Sequence, residues 1–161
     1  MGAEGSSAAP LLRMAGIGKA FPGVQALKGI DLELRGGEVL ALLGENGAGK
    51  STLIKILGGA HAPDAGTLEL DGEPLDIRGP ADSQKAGISV IYQEFNLVPG
   101  LSARENIFLG QETTRAGFIA ADEERRHVRE LFERLGASID PEVPCGRLSV
   151  ADQQEVEIAK A

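Results

Sequence analysis

The sequence predicts an α/β fold: a sheet-containing core that carries a glycine-rich loop, followed by a helical subdomain. Three observations lead there. An apolar run at residues 38–43 passes through a glycine-rich turn into a helical stretch at residues 51–57. Upstream, Ile30, Leu32 and Leu34 alternate with Asp31, Glu33 and Arg35, the period of a half-buried strand. Far downstream, Val128, Leu131, Phe132 and Leu135 recur at i, i+3, i+4 and i+7, the period of an amphipathic helix. Strands first and helices later suggest a sheet-containing core with a helical part appended to it.

Residues 1–10 are rich in small side chains and are expected to form a disordered leader. They lack the basic start and apolar stretch of a secretory signal. Residues 11–94 form the expected core. There, residues 11–21 and 27–35 read as strands and Gly36-Gly37 as a turn. Residues 38–43 read as a strand buried on both faces of a parallel sheet. The helix at residues 51–57 is closed by Gly58-Gly59. Residues 67–70 and 75–78 flank Asp71-Gly72, a hairpin turn that places the two segments antiparallel. A short helix at residues 81–86 leads to a second buried strand at residues 88–92. Residues 95–161 form the expected helical subdomain. Residues 96–110 mix loop and helix, and residues 113–120 read as a loop. Asp122 caps a helix that runs to Leu135 and stops at Gly136. Residues 140–144 form an extended linker with two prolines, and residues 149–160 a last helix.

Composition narrows the function. At 161 residues the chain can bury a real core, and its 42% hydrophobic and 25% charged content is that of a globular protein. Aromatic residues make up 4%, so aliphatic side chains must supply most of that core. The net charge of −8 argues against nucleic acid as a partner, since phosphate backbones call for clustered Lys and Arg. It leaves room for one tight phosphate site, because backbone N–H groups and a single lysine can make that. Cys145 is the only cysteine, which excludes an intramolecular disulfide and fits a reducing compartment. No apolar run approaches the ~18 residues of a membrane-spanning helix, so a membrane role would come through a partner.

Gly44-Glu45-Asn46-Gly47-Ala48-Gly49-Lys50-Ser51 satisfies G-x-x-x-x-G-K-[ST] in full and continues into Thr52. A chance match somewhere in a chain of this composition has a probability on the order of one per cent. The glycines let backbone N–H groups turn inward around a phosphate, at the positive end of the helix that starts there. Lys50 places a point charge on the β- and γ-phosphates, and the Ser51 hydroxyl is placed to ligate Mg²⁺. His61, His127 and Cys145 suggest neither a metal site nor an activated nucleophile; His127 reads as part of a solvated helix face and Cys145 as structural.

Further stretches extend the pattern in order. Lys19-Ala20-Phe21-Pro22-Gly23-Val24-Gln25-Ala26-Leu27 precedes the loop, and Ile91-Tyr92-Gln93-Glu94 follows it. Leu97-Val98-Pro99-Gly100-Leu101-Ser102 and Glu105-Asn106-Ile107-Phe108-Leu109-Gly110 come next, then Leu148-Ser149-Val150-Ala151-Asp152-Gln153-Gln154 and Glu157-Ile158-Ala159-Lys160-Ala161. Together these stretches resemble the ATP-binding-cassette (ABC) ATPases, most closely the subgroup that powers bacterial monosaccharide importers. The resemblance covers residues 21–161 and implies a P-loop NTPase core with an antiparallel β-subdomain and a helical subdomain.

It also implies a division of labour. ATP and Mg²⁺ are the implied cofactors. Phe21 would stack on the base, and Gly44, Asn46, Gly47, Ala48, Gly49, Lys50, Ser51 and Thr52 would hold the phosphates. Ser51 and Gln93 would serve the metal. Lys50, Gln93 and Ser149 would act in catalysis, Ser149 on the ATP held by a second, facing cassette. Further implied partners are transmembrane permease subunits and, indirectly, a periplasmic or extracellular sugar-binding protein, with the cassette peripheral on the cytoplasmic face of the membrane. Coupling ATP binding and hydrolysis to sugar uptake is the implied activity. Ala151-Asp152 stands where the general family pattern has Gly-Gln, which adds a methyl group and a negative charge at a phosphate-facing position. The apolar strand ending in Asp-Glu (Walker B), expected beyond the signature helix, does not occur before Ala161. The chain is therefore expected to be truncated before Walker B, to hold nucleotide without turning it over, and to expose an unprotected sheet edge. Two other readings stay open at this stage: a cassette fragment that binds without hydrolysis, and a soluble ABC ATPase unconnected with transport.

Overall fold

The computed structural model describes residues 9–92, 95–115 and 117–161. The expected leader, residues 1–10, lies almost wholly outside the described residues, and Gln93 lies outside them as well. Contacts divide the chain into two units, Met1–Ser89 and Val90–Ala161.

The first unit is organised by an antiparallel sheet of four strands: β1 (Leu12–Phe21), β2 (Val24–Leu34), β3 (Ala65–Leu70) and β4 (Glu73–Pro74), in the order β2-β1-β3-β4. Alternation sets its register. Leu12 pairs with Leu34 on one side and Leu70 on the other, and Met14 with Leu32 and Leu68. The alternation breaks at Gly16, whose φ of 63° accompanies a bulge that returns Ile17 to the buried face. The Gly16 N–H donates to Asp31 Oδ1 at 2.7 Å, so the bulge has its own side-chain partner. Asp71 and Gly72 both have positive φ (52° and 80°), as a type I′ hairpin requires. A two-residue turn makes the returning strand start at Glu73, earlier than the expected residues 75–78. β2 likewise starts at Val24, before the expected residue 27.

Helix α1 (Lys50–Leu57) packs Leu53, Ile56 and Leu57 against Leu12, Met14, Ile17, Leu27 and Leu68, with Ile77 completing the cluster. Each such side chain contributes about 1.5–3 kcal/mol when fully buried. Helix α2 (Pro80–Lys85) begins with a proline, whose missing N–H costs nothing at that position. Its buried Ser83 donates to the Leu57 carbonyl at 2.7 Å, which satisfies an end group of α1.

Two expected strands are corrected. Residues 38–43 and 88–92 pair with no strand among the described residues. Leu42 and Ile88 rest against the core, but Val39 is 96% exposed and Leu43 91% exposed. An apolar run reports a preference for burial; a strand needs a neighbouring backbone, and the four sheet strands are paired with one another. Apolar residues displayed on an unpaired extended segment favour association. Val39→Lys with Leu43→Lys is expected to lower self-association of the chain, read as a smaller weight-average mass by light scattering at equal concentration.

The second unit is helical: α3 (Ala103–Phe108), α4 (Ala121–Leu135) and α5 (Val150–Lys160). Ala103, Val128, Phe132, Cys145 and Val156 form its core. Phe132 and Val128 belong to the expected stripe, whereas Leu135 at its end is exposed. Ala120, and not Asp122, is the cap residue of α4. The Ala120 N–H is held by the Thr113 carbonyl, and its own carbonyl receives the N–H groups of Glu123 and Glu124. Asp122 therefore falls in the first turn, where it pairs with Arg125. Gly136 ends the helix in the left-handed conformation (φ 73°), as expected. The expected loop at residues 113–120 contains a small hairpin, β5 (Thr114–Arg115) with β6 (Phe118–Ile119). The expected linker is pinned at Pro144, which bridges to Ser102.

A buried ion cluster ties this unit together. Arg104 donates to Glu124 at 2.9 Å and to Glu142 at 2.9 Å, and Glu124 is 1% exposed. Glu124 also accepts the Thr113 N–H. Such a pair must stay complete, since removing one member leaves a charge desolvated without a partner. Hydrogen bonds from Arg104 and Arg125 hold the Glu142 carboxyl below its ordinary range, against the opposing effect of burial. Bonds from the Ser102 backbone and hydroxyl do the same to Glu105. A depressed folded pKa stabilises above the unfolded value, about 4.3, and the contribution is lost as pH falls through the folded value. Amide exchange across α3 and residues 140–144 is therefore expected to speed up as pH drops from 5 towards 3. In Glu142→Gln this pH slope shrinks, measured as protection factors normalised to intrinsic exchange.

Candidate functional site

The loop between residue 43 and α1 is built from backbone that only glycine tolerates. Gly47 has φ 88° and Gly49 has φ 86°. At Gly49 there is a second constraint: a Cβ would sit 2.6 Å from the Ala26 carbonyl oxygen and 2.6 Å from Leu27 Cδ2. The loop is thus pressed directly on β2, and the sheet holds the start of α1 in place.

That start has no side-chain cap. The first intrahelical bond runs from the Leu53 N–H to the Gly49 carbonyl at 3.0 Å. Among the described residues, the N–H groups of Gly49, Lys50, Ser51 and Thr52 have no acceptor. Unfilled N–H groups at the positive end of a helix attract an anion. Lys50 adds the charge. Its Nζ donates to the Gly44 carbonyl at 2.7 Å and to the Glu45 carbonyl at 2.8 Å, which curls the side chain across the loop. An ammonium has three donors, so one remains. Ser51 is exposed on the first turn, with no hydrogen-bond partner for its hydroxyl among the described residues. The loop also displays Asn46 and Ala48, both exposed, and Thr52 is half-buried. The loop residues expected from the sequence, Gly44 to Thr52, thus lie on one continuous segment that runs into α1.

Phe21 ends β1 and is 37% exposed. Lys19 lies over its ring, with Nζ 5.7 Å from the centroid, and His61 meets the ring edgewise at 5.3 Å. Lys19 is bound to Asp64 at 2.7 Å. Sequence reading did not single out Lys19 and Asp64 as neighbours of Phe21. The spacing of Lys19 and Phe21, two apart on one strand, was the available signal. His61 and Asp64 arrive through the turn after α1, which no local pattern announces. Gln93, expected beside the metal, lies outside the described residues. Among the described residues no three His, Cys, Asp or Glu side chains cluster to hold a metal.

Ser149 belongs to the second unit and is the N-cap of α5. Its Oγ accepts the Asp152 N–H at 3.2 Å and its backbone N–H donates to Asp152 Oδ2 at 3.3 Å, a complete capping box, and the hydroxyl also donates to Oδ2 at 2.8 Å. Cys145 is buried; its thiol is pushed up by burial, against a bond from Asn106, and it sits in the core as expected of a structural cysteine. His127 is exposed, as expected, and meets Phe108 edgewise.

The sequence profile of the family described as "ABC transporter" matches residues 27–161. Among curated proteins, the chain is 57% identical over 152 residues to a ribose import ATP-binding protein, RbsA 1, of Rubrobacter xylanophilus. That match covers 94% of this chain and 30% of the relative. It is 51% identical over 150 residues to an arabinose import ATP-binding protein, AraG 1, of Burkholderia ambifaria, covering 93% of this chain and 30% of the relative. Among solved structures, a nucleotide-free ATP-binding cassette from an ABC transporter superposes with a TM-score of 0.79 at 26% identity. It covers 95% of this chain and 64% of that one. A dimeric bacterial ABC transporter cassette gives 0.76 at 27% identity, covering 92% of this chain and 68% of that one.

The two positive-φ glycines of the loop separate strain from collision. Gly47→Ala meets no atom within 4 Å and is expected to cost only its left-handed backbone, about 1–2 kcal/mol. Gly49→Ala adds a collision with the β2 backbone and is expected to cost more and to abolish binding of Mg-tripolyphosphate. Thermal unfolding and calorimetric titration of the two variants check the ranking.

Proposed function

The chain belongs to the ABC transporter family of ATP-binding domains, and on that premise we propose that it forms the nucleotide-binding part of an ATP-driven sugar importer. The observation that carries this reading is the uncapped start of α1, where four N–H groups and Lys50 gather on a loop of the G-x-x-x-x-G-K-[ST] pattern. Phosphate oxygens would take the four N–H groups and replace the Gly44 and Glu45 carbonyls at Lys50 Nζ. The residues present fit a divalent cation held through the nucleotide: Ser51 offers a free hydroxyl at the first turn, and Gln93 is assigned the same task by its place in the sequence. When bound, Mg²⁺ would neutralise charge building up between the β- and γ-phosphates. Phe21 would carry the base.

The chain spans 30% of the length of the curated relatives it matches. Hydrolysis, sugar uptake and assembly are therefore assigned to the whole protein. There, Ser149 would address the γ-phosphate of ATP on a second cassette; pairing of two cassettes is supported by the dimeric form of a related one. Asp152 would temper that contact, since its carboxylate holds the Ser149 hydroxyl and brings negative charge towards the phosphate. Transmembrane permease subunits would carry the sugar, fed by an external sugar-binding protein, with the cassette on the cytoplasmic side. Among the described residues no helix is long and apolar enough to cross a membrane. Sugar is the proposed substrate class because the curated relatives above are ribose and arabinose import ATP-binding proteins.

Calorimetric titration with Mg-ATP tests the reading. Saturable binding is expected for the chain, weakened about 10- to 100-fold in Lys50→Ala, the value of one charge-assisted hydrogen bond or two. Equal affinity in both proteins would remove the loop from the site.

A further inference from the structure

Phe21 is not a bare ring on a surface. Three groups fix it from two directions. Lys19, two residues earlier on β1, lays its ammonium over one ring face, 5.7 Å from the centroid. That ammonium is only 16% exposed at the side chain and donates to Asp64 Oδ1 at 2.7 Å. The other carboxylate oxygen of Asp64 accepts the Ala20 N–H at 2.7 Å, and the Asp64 N–H donates to the Gly18 carbonyl at 2.9 Å. Asp64 thus ties the last turn of chain before β3 to both the backbone and the lysine of β1. From the other direction, His61 meets the Phe21 ring at 5.3 Å and 69°. The backbone N–H of His61 donates to the Lys55 carbonyl in α1 at 3.2 Å, so the backbone that carries the imidazole is anchored to the helix that follows the glycine-rich loop.

This arrangement has a chemical consequence. With its charge neutralised by Asp64, Lys19 is a poor phosphate ligand. What it retains is its position over a ring. A cation on one face of an aromatic ring is attracted to the π-density there and draws that density towards itself. The opposite face becomes a better surface for an electron-rich partner, and Phe21 keeps 37% of its surface exposed. The edgewise imidazole stops the ring from swinging away. A ring serving only as core would be covered on both faces, and a lysine serving only as a surface ion pair would not need to lie over it.

We propose that Lys19, Asp64 and His61 are positioning residues that hold the Phe21 ring as a one-sided platform for the purine base of a nucleoside triphosphate. The proposal rests on the reading that Phe21 carries the base. It assigns to three residues outside the phosphate loop a share in base affinity, with no share in phosphate affinity.

The test compares two ligands on the intact 161-residue chain: Mg-ATP, which has a base, and Mg-tripolyphosphate, which has none. Phe21→Ala is expected to weaken ATP roughly tenfold, the value of one stacking contact. Lys19→Met and His61→Leu are expected to weaken ATP about two- to fivefold, the scale of a cation–π or edgewise contact. Lys19→Arg restores affinity, because a guanidinium can keep both the ion pair and the place over the ring. All four variants bind tripolyphosphate like the parent, which also shows that the first unit is folded. If Lys19→Met and His61→Leu keep full ATP affinity while Phe21→Ala loses it, the platform is overturned and base stacking on Phe21 stands. Should Lys19→Met weaken both ligands equally, its role is structural and the proposal fails. ATP affinity unchanged in Phe21→Ala, or no saturable ATP binding by the parent, overturns the stacking reading and the platform with it.

Discussion

The candidate site depends on how closely the glycine-rich loop approaches the sheet. At Gly49 the backbone of the loop lies where a methyl group would be 2.6 Å from the Ala26 carbonyl, with φ at 86°. The first constraint excludes every side chain and the second makes every L-residue but glycine costly. Because the sheet supplies that contact, the start of α1 does not wander, and its unfilled N–H groups point from a fixed place. Core packing of Leu53, Ile56 and Leu57 on the same sheet supports the helix from its buried side. Site and core are held by one interaction, so a defect at Gly49 reaches both.

Charge distribution resolves an apparent contradiction. A chain of net charge −8 repels anions at long range, yet the anion site proposed at the start of α1 needs only one cation. Backbone dipoles provide much of the local potential, and they do not appear in a count of ionisable residues. The acidic groups described here are largely engaged elsewhere: Glu124 and Glu142 on Arg104, Asp64 on Lys19, Asp152 on Ser149. An ABC cassette can thus stay acidic while concentrating positive potential in a loop of a few residues.

Legibility followed the range of the interaction. The glycine-rich loop and the helix after it were readable, because glycine geometry is a local property of the chain. The antiparallel sheet was readable from alternation and from Asp71-Gly72, whose paired positive φ values are a property of two adjacent residues. Residues 38–43 and 88–92 were not, since their apolar character states that they favour burial and not which backbone lies beside them. The cap of α4 moved from Asp122 to Ala120 for a related reason: a carbonyl at Thr113, seven residues away in sequence, took the deciding hydrogen bond.

By itself the sequence determined the motifs that mark the family, the glycine-rich loop and the helical character of the second unit, each of which arises between residues within a turn or two of each other. Only the tertiary structure decided that Lys19, His61 and Asp64 surround Phe21, and that Gly49 must be glycine for want of room as well as for its φ. It alone placed Arg104 between Glu124 and Glu142. Lys19 and Phe21 excepted, those arrangements join residues 20 to 45 positions apart, where the chain between them can take many paths. Burial selects one path by the total apolar surface removed from water, a quantity that belongs to the folded whole and to no single stretch of it.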